Sequence, residues 1–155
     1  MTALRLVTLI RAPVHVCFDL ARSVDAHVAS TARTREVAVA GVTSGLLTLG
    51  DEVTWEATHF GVRQRLRVRI TAFDPPRAFT DEMVSGAFRR MRHVHSFEAT
   101  PEGTAMTDDF DFDAPLGPLG WLAEVLVLKR YMTGFLLRRN VVLKSAAEEA
   151  SRARA

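Results

Sequence analysis

The 155-residue sequence predicts an α+β domain: an antiparallel sheet of about seven strands, two short helices after the first strand and one long helix near the C-terminus. Three observations carry this. Apolar and polar residues alternate with period two over most of residues 36–112, broken by turn residues. Helical spacing of apolar residues takes over after that point. Pro13 stands where a first strand must give way to a helix, a position at which its missing N–H is harmless.

Taken in order, ALRLVTLIR (3–11) reads as a strand. HVCFDLAR and a segment starting at Ser23 in SVDAHVAST read as two short helices. Six alternating runs follow: EVAVAGV, DEVTWEATHF, VRQRLRVRITAF, AFTDEMV, FRRMRHVHSFEA and GTAMTDDFDF. DAPLGP (113–118) interrupts them, and a helix is expected from about Leu119 to Ala147. Its apolar face would carry Leu122, Val125, Leu126, Met132, Phe135, Leu136, Val142 and Leu143. Trp121 is placed against the sheet rim, and Gly134 marks a close approach or a bend. Residues 1–150 form one domain on this reading, and 151–155 fray.

Composition narrows the function. Twenty basic residues against 18 acidic ones leave a net charge of +2, too small for a cationic face, so nucleic acid is not an expected partner. The lone Cys17 excludes an internal disulfide and a cysteine metal cluster, and its apolar helical setting reads as a buried thiol. The first residues enter a strand pattern directly, without a charged-then-apolar leader. Glu124, Lys129, Arg130, Arg138 and Arg139 interrupt the most apolar stretch too often for a membrane span. A cytoplasmic protein is expected, and a homodimer is left open.

Register assigns the strand faces, because directly opposed residues in an antiparallel pair share a face and their numbers sum to a constant. A two-residue turn at Phe60-Gly61 sets the sum to 121. Val53, Trp55, Gln64, Leu66 and Val68 then share one face, while Glu52 opposes Arg69 and Glu56 opposes Arg65 on the other. A turn at Pro101-Glu102 sets the sum to 203, opposing Met91 to Phe112, His93 to Phe110, His95 to Asp108 and Phe97 to Met106, with Arg90 facing Asp113 and Arg92 facing Asp111 behind them. A one-residue slip would bury the arginines, so the register is well determined. A sum near 151 at the DPP turn adds Phe79, Asp81 and Met83 to the inner face. The row Arg63, Arg65, Arg67, Arg69, Arg90 and Arg92 becomes a solvated, charge-paired outer face.

The inner face is an apolar wall with a few polar groups, which is what a ligand pocket requires. Its candidate ligand-binding residues are Trp55, Gln64, Leu66, Phe79, Asp81, Met83, Met91, His93, Phe97, Met106 and Phe110. Met132 on the helix joins them, as does Lys129, whose stem would line the pocket while its ammonium reaches the mouth. His95 and Asp108, directly opposed, are candidate catalytic residues: a carboxylate beside an imidazole orients its tautomer and supports acid/base chemistry near neutral pH. His93 and His95 could also converge on a metal. Alternation alone puts two such histidines on one face, however, and a third ligand, Asp81 or His59, is not fixed, so neither a metal nor another cofactor is expected.

The segments IRAPVHVCFDLARSVDAHVAS, DPPRAFTDEMVSGAFRRMRHVHSFE and GTAMTDDFDFDAPLGPLG, together with the element order, resemble the SRPBCC superfamily, which includes START domains, birch-pollen-allergen-like proteins and polyketide cyclases. The resemblance covers nearly the whole chain and points to the bacterial cyclase/dehydrase or ligand-binding branch. It implies a helix-grip fold, in which a curved sheet wraps around the last helix and encloses a cavity for an apolar small molecule or lipid. It implies no particular catalytic residue. The expected function is binding of such a ligand; the alternative is a cyclase or dehydratase using His95 and Asp108, and a weaker third is an interaction module.

Overall fold

The computed structural model describes residues 1–115, 117, 121, 122 and 124–155. Strand β1 (Thr2–Ile10) leads through Pro13, the N-cap of helix α1 (Val14–Ala21), into helix α2 (Val24–Ser30), whose N-cap Ser23 accepts a hydrogen bond from the Ala26 amide. A 3-10 turn (Ala32–Thr34) follows. Then come β2 (Val37–Gly41), β3 (Glu52–His59), β4 (Val62–Asp74), β5 (Ala78–Ser85), β6 (Arg90–Thr100) and β7 (Gly103–Asp113). The chain closes with a π-helical turn (Glu124–Leu128) and helix α3 (Lys129–Ala153).

All seven strands form one antiparallel sheet in the order β1-β7-β6-β5-β4-β3-β2. Helix α3 packs across it against β1, α1 and α2, which is the helix-grip arrangement. The β3–β4 and β6–β7 registers are those the turns imply: Glu52 opposes Arg69, Trp55 opposes Leu66, and Met91 opposes Phe112. Phe60 and Gly61 both take positive φ (51° and 74°), the conformation that matches a two-residue hairpin to strand twist. The β4–β5 pair keeps the expected sum at Val68 opposite Met83 and Ile70 opposite Asp81, then shifts by one residue at a bulge. The bulge places Phe73 opposite Phe79 and sends Phe73 inward onto Phe18, 5.6 Å between ring centres.

The core is the sheet's concave face together with α1, where Cys17 and Phe18 are both fully covered. On the outer face Glu56 bridges Arg63 and Arg65, and Glu52 bridges Arg67 and Arg69. Two pairings differ from the register expectation. Arg92 reaches Glu82 at 3.9 Å instead of Asp111, and Asp113 takes the N-terminal amine at 3.0 Å instead of Arg90. Arg92 is flanked by direct partners on both sides, Asp111 on β7 and Glu82 on β5, and register alone does not decide which it meets.

The last helix differs more. Its π-turn inserts a residue, and α3 then runs to Ala153, into the stretch expected to fray. The expected start at Leu119, and Leu116 and Pro118 of the preceding break, lie outside the described residues. Trp121 is 61% exposed and does not pack on the rim; Leu122, Leu126 and Val142 are exposed as well. The buried stripe is Met132, Leu136, Arg139, Asn140, Leu143 and Ala147. Gly134 lies close to no other backbone: an added Cβ would meet only the Arg138 guanidinium, at 3.2 Å.

Candidate functional site

A cavity of about 460 Å³ lies between the sheet and α3, within the usual range of small-molecule sites. Strand alternation brings to its wall Trp55 from β3, Gln64 and Leu66 from β4, Phe79 and Asp81 from β5, Met91, His93 and His95 from β6, and Phe110 from β7. Helix α3 closes the other side with Tyr131, Met132, Phe135, Leu136 and Arg139. Met83, Phe97, Met106, Asp108 and Lys129 do not line it. Phe97 is packed beneath, 5.5 Å from the Phe18 ring centre, and Met106 is sealed within the core. Met83 sits beside Gly86, near the end of β5. Lys129 is exposed because it falls one position off the stripe of Leu128, Met132 and Leu136.

The polar centre is built on three adjacent strands. Asp81 opposes His93 across β5 and β6, and Asp108 opposes His95 across β6 and β7. The side chains cross that register. His93 Nε2 donates to Asp108 Oδ1 at 2.8 Å, and His95 Nε2 donates to Asp81 Oδ1 at 2.9 Å. His95 Nδ1 lies 3.1 Å from Asp108 Oδ1 but without hydrogen-bond alignment. The directly opposed His95/Asp108 dyad is therefore replaced by two diagonal pairs, because the imidazoles lean along the strand with ring centres 3.8 Å apart.

Helix α3 supports this centre from behind. Asn140 Nδ2 donates to Asp108 Oδ2 at 2.6 Å, and Arg139 Nη1 donates to Asn140 Oδ1 at 3.1 Å while standing 3.6 Å from Asp108 Oδ1. Burial alone would raise the Asp108 carboxyl; its bond to His93, the close His95 ring and the nearby Arg139 reverse this and hold it well below the usual range. Asp81 is lowered in the same way, burial being outweighed by the His95 bond and the charges of both histidines. Burial pushes both imidazoles down. It wins at His93, with His95 adding to it, and loses at His95, which stands between two carboxylates and is raised.

Sequence reasoning missed a second polar group on the cavity wall. His27 stacks on Trp55 (ring centres 4.1 Å apart) and its Nε2 donates to Glu36 Oε1 at 3.1 Å. Glu36 is 7% exposed, and its Oε2 has no hydrogen-bond partner. His59 Nδ1 and the Tyr131 hydroxyl share a 2.7 Å hydrogen bond. Arg139 and His27 had a signal in the sequence: Arg139 stands seven residues from Met132 and three from Leu136, and His27 three from Val24, each on its helix's inner stripe. Glu36, at a strand's start, had none.

Across residues 1–148 the chain matches the family model described as "Polyketide cyclase / dehydrase and lipid transport", and it belongs to that family. Similar solved structures come from several sources. A protein of Thermus thermophilus superposes with a TM-score of 0.74 at 18% identity, covering 94% of this chain and 99% of its own. A Mycobacterium smegmatis protein gives 0.70 at 18% identity, covering 93% and 89%. Ginseng major latex-like protein 151 from Panax ginseng gives 0.66 at 16% identity, covering 94% and 97%. These likenesses show the same fold; the family match places the chain in the SRPBCC superfamily, membership of which implies a ligand-binding cavity. Among curated protein sequences nothing matches the chain. Among the described residues no helix is long and apolar enough to cross a membrane.

Proposed function

We propose that the protein binds an apolar small molecule or lipid between the sheet and α3. The observation that carries this is the cavity itself: about 460 Å³ walled mainly by aromatic and aliphatic side chains, with polar groups set among them. Burying a ligand there removes apolar surface from water at roughly 25 cal/mol per Å², and the few polar groups fix its orientation. The test combines native mass spectrometry of gently purified protein with titration by the fluorescent apolar probe N-phenyl-1-naphthylamine. Saturable one-to-one binding, displaced by the co-purified molecule, is expected; a protein that retains nothing and leaves the probe dark does not have this function.

A second reading, acid/base chemistry of the cyclase or dehydratase type, is favoured by one observation. His95 lines the cavity between Asp81 and Asp108, whose carboxylates favour its protonated form, so it is placed to pass a proton to or from a bound molecule. On this reading His95→Gln and Asp81→Asn each abolish turnover and the double variant is no worse, because groups acting as a unit are non-additive. Losses that multiply count against it.

A further inference from the structure

We propose that Asp81, His93 and His95 form a binding site for a divalent transition-metal ion on the sheet wall of the cavity. The third ligand left undecided by sequence is supplied by topology, since Asp81 is the cross-strand partner of His93. One donor atom from each of the three residues lies within 4.8 Å of the others. Metal–ligand bonds of about 2.0–2.2 Å set neighbouring ligands about 3.3 Å apart, so the present 2.9 Å between Asp81 Oδ1 and His95 Nε2 needs only a small opening.

The surroundings are those a metal site requires. Ligating imidazoles are oriented by a carboxylate on their other nitrogen. With His93 ligating through Nδ1 and His95 through Nε2, Asp108 stands in that position for both rings, bonded to His93 Nε2 and 3.1 Å from His95 Nδ1, and Asn140 holds its second oxygen. With Nε2 on a metal, the His95 proton resides on Nδ1, the atom that has no hydrogen-bond partner in the metal-free arrangement. A small rotation of the ring then lets that N–H donate to Asp108 Oδ1, 3.1 Å away.

Charge points the same way. Arg22 and Arg65 on the cavity wall are paired with Asp19 and Glu56. Among the described residues, that leaves the carboxylates of Asp81 and Asp108 gathered at the two histidines, with the Arg139 guanidinium 3.6 Å from Asp108. A cation bound beside these two carboxylates is favoured by their charge. Two imidazoles and one carboxylate select zinc- or ferrous-type ions over calcium or magnesium, which take oxygen ligands. Because all three residues line the cavity, the remaining coordination positions open toward a bound molecule.

The test uses the full chain, stripped with chelator and titrated with Co²⁺ alone by visible absorption and with Zn²⁺ alone by calorimetry. One ion per chain is expected, with cobalt bands of a four- or five-coordinate site. Asp81→Ala and His95→Gln should each weaken binding by at least roughly tenfold, and Asp108→Asn by roughly 10- to 100-fold. His15→Gln, remote from the cluster, should not change it. In case a variant misfolds, imidazole nitrogen NMR of the unmodified protein supplies a second readout: Zn²⁺ should shift His93 and His95 and leave His15 in place. No saturable binding, or binding that survives both Asp81→Ala and His95→Gln, overturns the proposal and leaves a hydrogen-bonded polar cluster only. Probe binding in the absence of metal is read separately, so failure here does not touch the apolar-ligand reading.

Discussion

Asp108 is 0% exposed and holds three elements together, joining His93 of β6 to Asn140 of α3 from its own place on β7. Removing one partner of a buried charged network leaves the others unpaired, which costs more than the bonds contribute. Asp108→Ala is therefore expected to lower stability by about 3–5 kcal/mol, read as a reduced urea midpoint with an unchanged slope. Glu36 offers a different test. Burial would raise its carboxyl, but His27, by charge and hydrogen bond, holds it below the ordinary value. A carboxyl depressed in the folded state contributes stability above its unfolded pKa of about 4.3, and that contribution is lost as pH falls through the folded value. Glu36→Gln should thus destabilise the protein by about 1–3 kcal/mol at pH 7, with the gap to the parent closing below about pH 4 in acid-unfolding curves.

At the scale of elements, two glycines make opposite predictions. Gly103 opens β7 at φ 153°, and an added Cβ would lie 2.1 Å from the Ile10 carbonyl oxygen, a backbone atom that cannot yield without moving β1. Gly103→Ala is expected to cost roughly 2 kcal/mol or more in thermal unfolding. Gly134, mid-helix in α3 and facing only the flexible end of Arg138, should instead gain up to about 1 kcal/mol on substitution by alanine. The same contrast explains what could be read from sequence. Strand faces were legible because period two and short turns leave one register that buries Trp55, Phe97 and Phe110 while exposing the arginines. Helix α3 was less so: its inner stripe is broken by Asn140, buried for its bond to Asp108, and by Arg139, which bonds Asn140 and stands 3.6 Å from Asp108. A pattern that scores hydrophobicity passes over them and recruits Leu126 and Val142 instead, both exposed. The diagonal His93–Asp108 and His95–Asp81 pairing was out of reach for a related reason. Register gives Cα partners, while side-chain lean decides which atoms meet.

For the molecule as a whole, the cavity sets stability against function. A chain of this size buries a core large enough to be stable with an unfilled interior volume, but side chains along that volume lose packing contacts they would otherwise make. Ala57, buried on β3 and part of the cavity wall, is the position from which a larger side chain grows into that space instead of into the sheet. Ala57→Phe should therefore keep or raise the melting temperature of the ligand-free protein while excluding the apolar molecule. A ligand held only by the folded state stabilises it by about 2.7 kcal/mol at 100 times its Kd. For a domain near 150 residues that amounts to a rise of about 5–10 °C in Tm. Scanning calorimetry with saturating N-phenyl-1-naphthylamine should show this rise for the parent and none for Ala57→Phe. Equal rises in the two proteins would place the ligand on the surface and not between the sheet and α3.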